Sequence, residues 1–116
     1  MSGARTGFVD RASGAVPAYS LLGFQTSGDH TIITPHYGRR IRVVQCALIA
    51  HGDVYVYFRS GAGGDAITGS ISMTNNTGYV MPFSDVGWFQ TDEGEALEIN
   101  LSAAIYVGGV LAYVEV

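Results

Sequence analysis

Apolar and polar positions alternate with a period of two along much of the chain, and that pattern predicts strands. In DVYVYFRS, Val54, Val56 and Phe58 share one face while Tyr55, Tyr57 and Arg59 share the other. In EALEINLS, Leu97, Ile99 and Leu101 lie together, with Glu98 and Asn100 opposite. Two further segments are apolar on both faces, Ile41 to Ala50 and Ala104 to Val116. Strands of that kind are covered on both sides, by a second sheet and by something else. Within the last of them, Gly108 and Gly109 are expected to mark a bulge or sharp bend.

His30 to Pro35, Ala66 to Thr74 and Gly78 to Phe83 complete the set of expected strands. No window holds a helical stripe free of glycine or β-branched runs. Turn clusters at HGD, SGAGGD, NNTG and TDEGE recur about every 10 residues, a spacing that suits an all-β, antiparallel β-sandwich or jelly roll. Residues 1–27 read differently, rich in Gly, Ala and Ser with scattered Phe8, Val16, Tyr19 and Leu22. They are expected to form an extended N-terminal arm with little core of its own, leaving 28–116 as the sandwich domain.

The 116 residues suffice for one domain. Apolar residues make up 47% and charged residues only 14%, against about 25% charged in a typical soluble domain. A surface so poor in charge is solubilised by small polar residues or is partly covered by partners. The net charge of −4 argues against nucleic acid, which demands a basic footprint. All six cations are arginine, a residue whose planar, weakly hydrated head suits interfaces; a GC-rich genome would give the same bias. Cys46 stands alone, so no intramolecular disulfide is possible, and its apolar context makes it a small buried residue. The first 15 residues hold no apolar run resembling a signal peptide. The longest apolar run, Ala103 to Val114, falls short of the about 20 residues a spanning helix needs. Synthesis in the cytoplasm, without a membrane partner, is the expectation.

Candidate chemistry adds little. Gly61, Gly63 and Ala66 fit the G-x-G-x-x-A pattern after a strand, but a dinucleotide loop must open a helix whose N-terminus holds the pyrophosphate. Here AITGSISMT follows, a poor helix, and the loop lacks the Lys-Ser/Thr pair of a P-loop. These glycines are expected to turn a corner between strands. His30, His36 and His51 have no ligand partner at metal spacing, and Ser84-Asp85 lacks a nucleophile-elbow context. Asp92, Glu93, Glu95 and Glu98 read as a solvent-facing acidic turn; a weak Ca²⁺ site or pairing with Arg39, Arg40 or Arg42 across a subunit boundary are the alternatives. The sequons at Asn75 and Asn100 carry no weight without secretion. No cofactor, metal or catalytic residue is expected. Tyr55 and Tyr57 on an outward face are interface candidates, since tyrosine buries large area at low entropy cost; stacking on sugars or packing within the chain are the other uses.

The segment Arg39 to Val116, through ITGSISM, VMPFSDVGWFQTDEGEALEINLS and VGGVLAYVEV, resembles small structural proteins of tailed bacteriophages encoded with the head genes. The resemblance implies a β-sandwich virion protein without enzymatic activity, a capsid decoration (cement) protein. It further implies a homotrimer docked on the major capsid protein at the capsid surface, with terminal arms tying neighbours together. Under that implication Tyr55, Tyr57 and Trp88 are candidate anchors and Arg39, Arg40 and Arg42 carboxylate partners, although the apolar VGWF context would equally place Trp88 in the core. A carbohydrate-binding or receptor-binding module, and a head-completion or tail component, are the competing readings.

Overall fold

A computed structural model describes residues 16–116. Nine strands follow one another, with no helix among the described residues: β1 (Ala18–Phe24), β2 (Gly28–Ile33), β3 (Ile41–Ala50), β4 (Val54–Ser60), β5 (Ile71–Met73), β6 (Thr77–Met81), β7 (Phe89–Gln90), β8 (Leu97–Leu101) and β9 (Val107–Glu115). One sheet has the order β1-β9-β3-β6, with the two-residue β7 also on β3; the other runs β2-β8-β4-β5. Every pairing is antiparallel. Apart from the β4–β5 hairpin and the short β7, each strand is followed by one in the opposite sheet. That strand order is the jelly roll, the arrangement expected from the turn spacing.

Alternation decides which side chains meet between the sheets. Val54, Val56 and Phe58 from β4, Leu97, Ile99 and Leu101 from β8, and Ile41, Val43, Cys46 and Leu48 from β3 are all buried in one cluster. Each such side chain contributes roughly 1.5–3 kcal/mol on leaving water. Burial also pushes the Cys46 thiol up to about 12, which keeps it neutral and unreactive. The ring of Phe58 lies 4.8 Å from that of Phe89, a contact between the two sheets.

Two local expectations need correction. The bulge is not at Gly108–Gly109 but on the facing strand, where β3 shifts register between Val43 and Gln45. The extra residue, Val44, turns away from the main core and is buried with Ala112 and Val114 in a second small cluster. The paired glycines serve close approach instead. Gly109 has φ 151°, and a Cβ there would stand 1.9 Å from the carbonyl oxygen of Ala47. Gly108 and Gly23 lie beneath the ring of Tyr106, within 3.2 Å of its hydroxyl measured from an added Cβ. The second correction concerns Ala66 to Thr74, of which only Ile71–Met73 is a strand. Ala66 makes an isolated bridge to Arg59, and Thr68 Oγ1 accepts the Phe58 N–H in place of a backbone partner.

The expected arm is described only from Val16, and residues 1–15 lie outside the described residues. Its Ala18–Phe24 portion runs beside β9 of the same chain, paired from Ala18↔Tyr113 to Phe24↔Val107. Leu22 is the residue it places in the core, with Phe24 packed against it.

Candidate functional site

Sheet register puts side chains of opposite character on the two outer faces. On the β2-β8-β4-β5 sheet the outward positions are polar and already satisfied by one another. Asp29 of β2 stands opposite Asn100 of β8, and Asn100 opposite Tyr57 of β4. Asn100 Nδ2 donates to Asp29 Oδ1 at 2.7 Å, and Arg59 Nη1 donates to both Asp29 oxygens at 3.0 and 3.1 Å. The Gly63 N–H donates to Oδ2 at 3.1 Å. The glycine loop therefore grips a carboxylate of its own chain. It closes a hairpin, with Ser60 N–H on Asp65 O and Gly64 N–H on Gly61 O. One row along, Thr31 Oγ1 donates to Glu98 Oε2. Glu98 is only 3% exposed, so it does not belong to the solvent-facing acidic turn; Asp92, Glu93 and Glu95 do. The alternation in EALEINLS already sets Glu98 on a strand, while the others remain in the turn; its burial comes from β2 and β4, which alternation does not show.

The donors around Asp29, led by Asn100 and reinforced by Arg59 and Gly63, hold its carboxyl below the ordinary range against the opposing effect of burial. Glu115 is held down likewise, chiefly by the His36 N–H at 2.8 Å. In the unfolded chain both groups take up protons first as pH falls. Their stabilisation is complete above about pH 4 and drains away as pH drops through the folded values. Asp29→Asn is expected to lower stability at neutral pH by about 1–3 kcal/mol and to flatten part of the acid loss. Thermal melts between pH 7 and pH 2 check this; an unchanged acid slope would contradict the assigned cause.

The outer face of the β1-β9-β3-β6 sheet carries no such network. Leu21, Val110, Ala47 and Val80 stand side by side across all four strands. The next row reads Gly23, Gly108, Ile49 and Gly78, and the one on the other side Tyr19, Ala112 and Gln45. None of these positions is charged. Tyr106 lies over the glycines of its row, its ring 4.8 Å from that of His51.

The sequence-based candidates fall on different surfaces. Tyr55 and Tyr57 are outward on the polar sheet, where Arg59 sits 5.4 Å from the Tyr57 ring. Tyr55 borders a shallow hollow of about 190 Å³ that Asp53, Ser72, Thr74 and Ser102 also line. Trp88 precedes β7 and is 48% exposed, its Nε1 donating to Pro82 O at 2.7 Å. Arg42 is outward on the apolar sheet's end and donates from Nε to Gln90 Oε1 at 3.0 Å. Arg40 exchanges backbone hydrogen bonds with Val116, and the exposed Arg39 accepts the Gly94 N–H on its carbonyl. The structure thus groups Trp88 with Arg42 and separates both from the tyrosines. Sequence reasoning missed Tyr19, Leu21 and Val80, since nothing local says that β1, β9 and β6 share a sheet. Among the described residues no group of His, Cys, Asp and Glu could hold a metal ion.

The arrangement defines a jelly roll with a polar network across one outer face and three uncharged rows across the other, where Arg42 stands at the end. No family model matches the chain, and no curated protein matches it. Among solved structures it is similar to a chain of the cyanophage Pam1 capsid asymmetric unit, at 14% identity and TM-score 0.47, over 96% of this chain and 93% of that one. It is also similar to a chain in the cryo-EM structure of the giant freshwater prawn Macrobrachium rosenbergii extra small virus VLP, at 15% identity and TM-score 0.39, over 97% and 88%. The strand order alone carries the jelly-roll description.

Proposed function

We propose that the chain is a non-enzymatic structural protein of a virion, a decoration (cement) protein that docks as a homotrimer on the major capsid protein lattice of a tailed bacteriophage. The observation that carries this reading is the set of three uncharged rows on the outer face of the β1-β9-β3-β6 sheet, on a chain with only 14% charged residues. The resemblance of residues 39–116 to phage head-gene products supports it. A decoration protein adds binding free energy where capsid subunits meet, and several weak contacts made together do this through effective concentration. Trp88, beside Arg42, supplies an aromatic anchor and a carboxylate partner, and Arg39 and Arg40 stand three and two residues before Arg42 in the chain. Tyr55 and Tyr57 face the other way and serve a second contact.

The test is the composition of purified virions from the virus that encodes the chain. The chain is expected on their surface in a fixed ratio to the major capsid protein, released by mild denaturant before the shell breaks. Its absence from virions would overturn the reading. The hollow beside Tyr55 favours one alternative, saccharide binding through an aromatic wall and flanking hydroxyls. That alternative takes over if glycan binding is found and is lost in Tyr55→Ala while virions lack the chain.

A further inference from the structure

We infer that the outer face of the β1-β9-β3-β6 sheet, with the outer edge of β1, is where a second copy of this chain seats. Its six contributing side chains are Tyr19, Leu21, Ile49, Val80, Tyr106 and Val110. Leu21 is 83% exposed, Tyr19 70% and Val80 65%, although register places Leu21 and Val80 at the two ends of one continuous apolar row. Surfaces of soluble monomers scatter such residues singly; a contiguous patch marks an interaction site. The contrast with the opposite sheet is internal to the molecule. There Asp29, Arg59, Asn100, Thr31 and Glu98 occupy the matching outward positions.

Three features select a second copy over another occupant. The first is charge. A partner with a charged surface would strand its charges against the uncharged rows, whereas a copy of this chain brings a surface as poor in charge, only 14% of its residues being charged, and depletion of charge is what distinguishes interface cores. The second is area. Two tyrosines and four aliphatic side chains at these exposures present on the order of 600 Å², near the roughly 800 Å² each partner gives a standard interface.

The third is the edge of the sheet. Among the described residues β1 pairs with β9 on one side only, and AYSLLGF carries no charge and no proline. Folded proteins blunt such edges with lysine, proline or a bulge unless another chain covers them. The edge and the face adjoin at Tyr19 and Leu21, so one approaching copy covers both.

The inference deepens the proposed function and rests on it only for the expectation of an oligomer. Its test is the mass of the full chain in solution, by light scattering after size exclusion over a range of concentrations. The wild type is expected to be an oligomer. Leu21→Glu with Val80→Glu is expected to give a monomer that keeps the wild-type circular dichroism. Leu21→Ser, a mild change at the sheet edge that leaves β3 and β9 intact, is expected to weaken association at least tenfold. Tyr55→Ala with Tyr57→Ala, on the opposite face, is expected to leave the mass unchanged. A monomeric wild type, full association in Leu21→Ser, or dissociation of the tyrosine variant would each overturn the inference. A monomer that still binds virions would leave the decoration role standing without the homotrimer, and an oligomer absent from virions would leave this inference standing.

Discussion

Replacing Gly109 with alanine is expected to destabilise the fold by at least about 3 kcal/mol, more than any surface change. The position combines two separate penalties. Its φ of 151° is a conformation that a side chain resists, and the added Cβ would fall 1.9 Å from the Ala47 carbonyl oxygen. That oxygen is backbone of β3, which Gly109 faces through its register with Leu48. Relief therefore requires β9 to move off β3, and β9 is an inner strand of its sheet. For a domain of about 100 residues this corresponds to a fall in Tm of roughly 10–20 °C. Gly69 provides the control, since an added Cβ there meets nothing within 4 Å, and Gly69→Ala should melt within a few degrees of wild type. Equal melting of the two variants would show that the β3–β9 contact is looser than the backbone geometry requires.

Phe58→Ala is expected to cost about 3–5 kcal/mol, the range for deleting a fully buried aromatic ring. Phe58 has no exposed area and packs at a tilt against Phe89 from the opposite sheet, ring centroids 4.8 Å apart. Its loss opens a cavity between the sheets that strands pinned on both sides cannot close. The neighbouring Tyr57→Ala removes a ring of similar size from the outer face and should cost far less. Urea titration of both variants measures the difference directly. A lower midpoint with unchanged slope for Phe58→Ala is the expected result. Equal midpoints for the two would mean that the inward and outward faces of β4 have been exchanged.

Much of the fold is legible in local pattern. β3, β4, β8 and β9 announce themselves by alternation or by continuous apolar runs, and each lies within the span expected for it. β1 does not, because Tyr19, Leu21 and Leu22 are diluted by small residues and its partner lies nearly ninety positions later. Alternation makes Glu98 an outward polar residue, and it is outward; its burial depends on neighbours contributed by β2 and β4. The docking face was hidden for the same reason. Tyr55 and Tyr57 are conspicuous because they alternate within one strand. Leu21, Val110, Ala47 and Val80 come from four strands and become a row only through pairing. Alternation tells which residues share a face of one strand but not which strands share a sheet.

The central places of β8 and β9 have a consequence for the order in which the molecule forms. β8 lies between β2 and β4, and β9 between β1 and β3. During synthesis, β1 and β2 therefore leave the ribosome with no strand beside them in their own sheets, while β4 with β5 and β3 with β6 can already pair. The uncharged β1 must wait, unpaired, until the last strand emerges. Closing such distant pairings is slow, in the range of milliseconds to seconds. In that interval β1 is open to the wrong neighbour, and crowded translation of many copies is when it is most exposed.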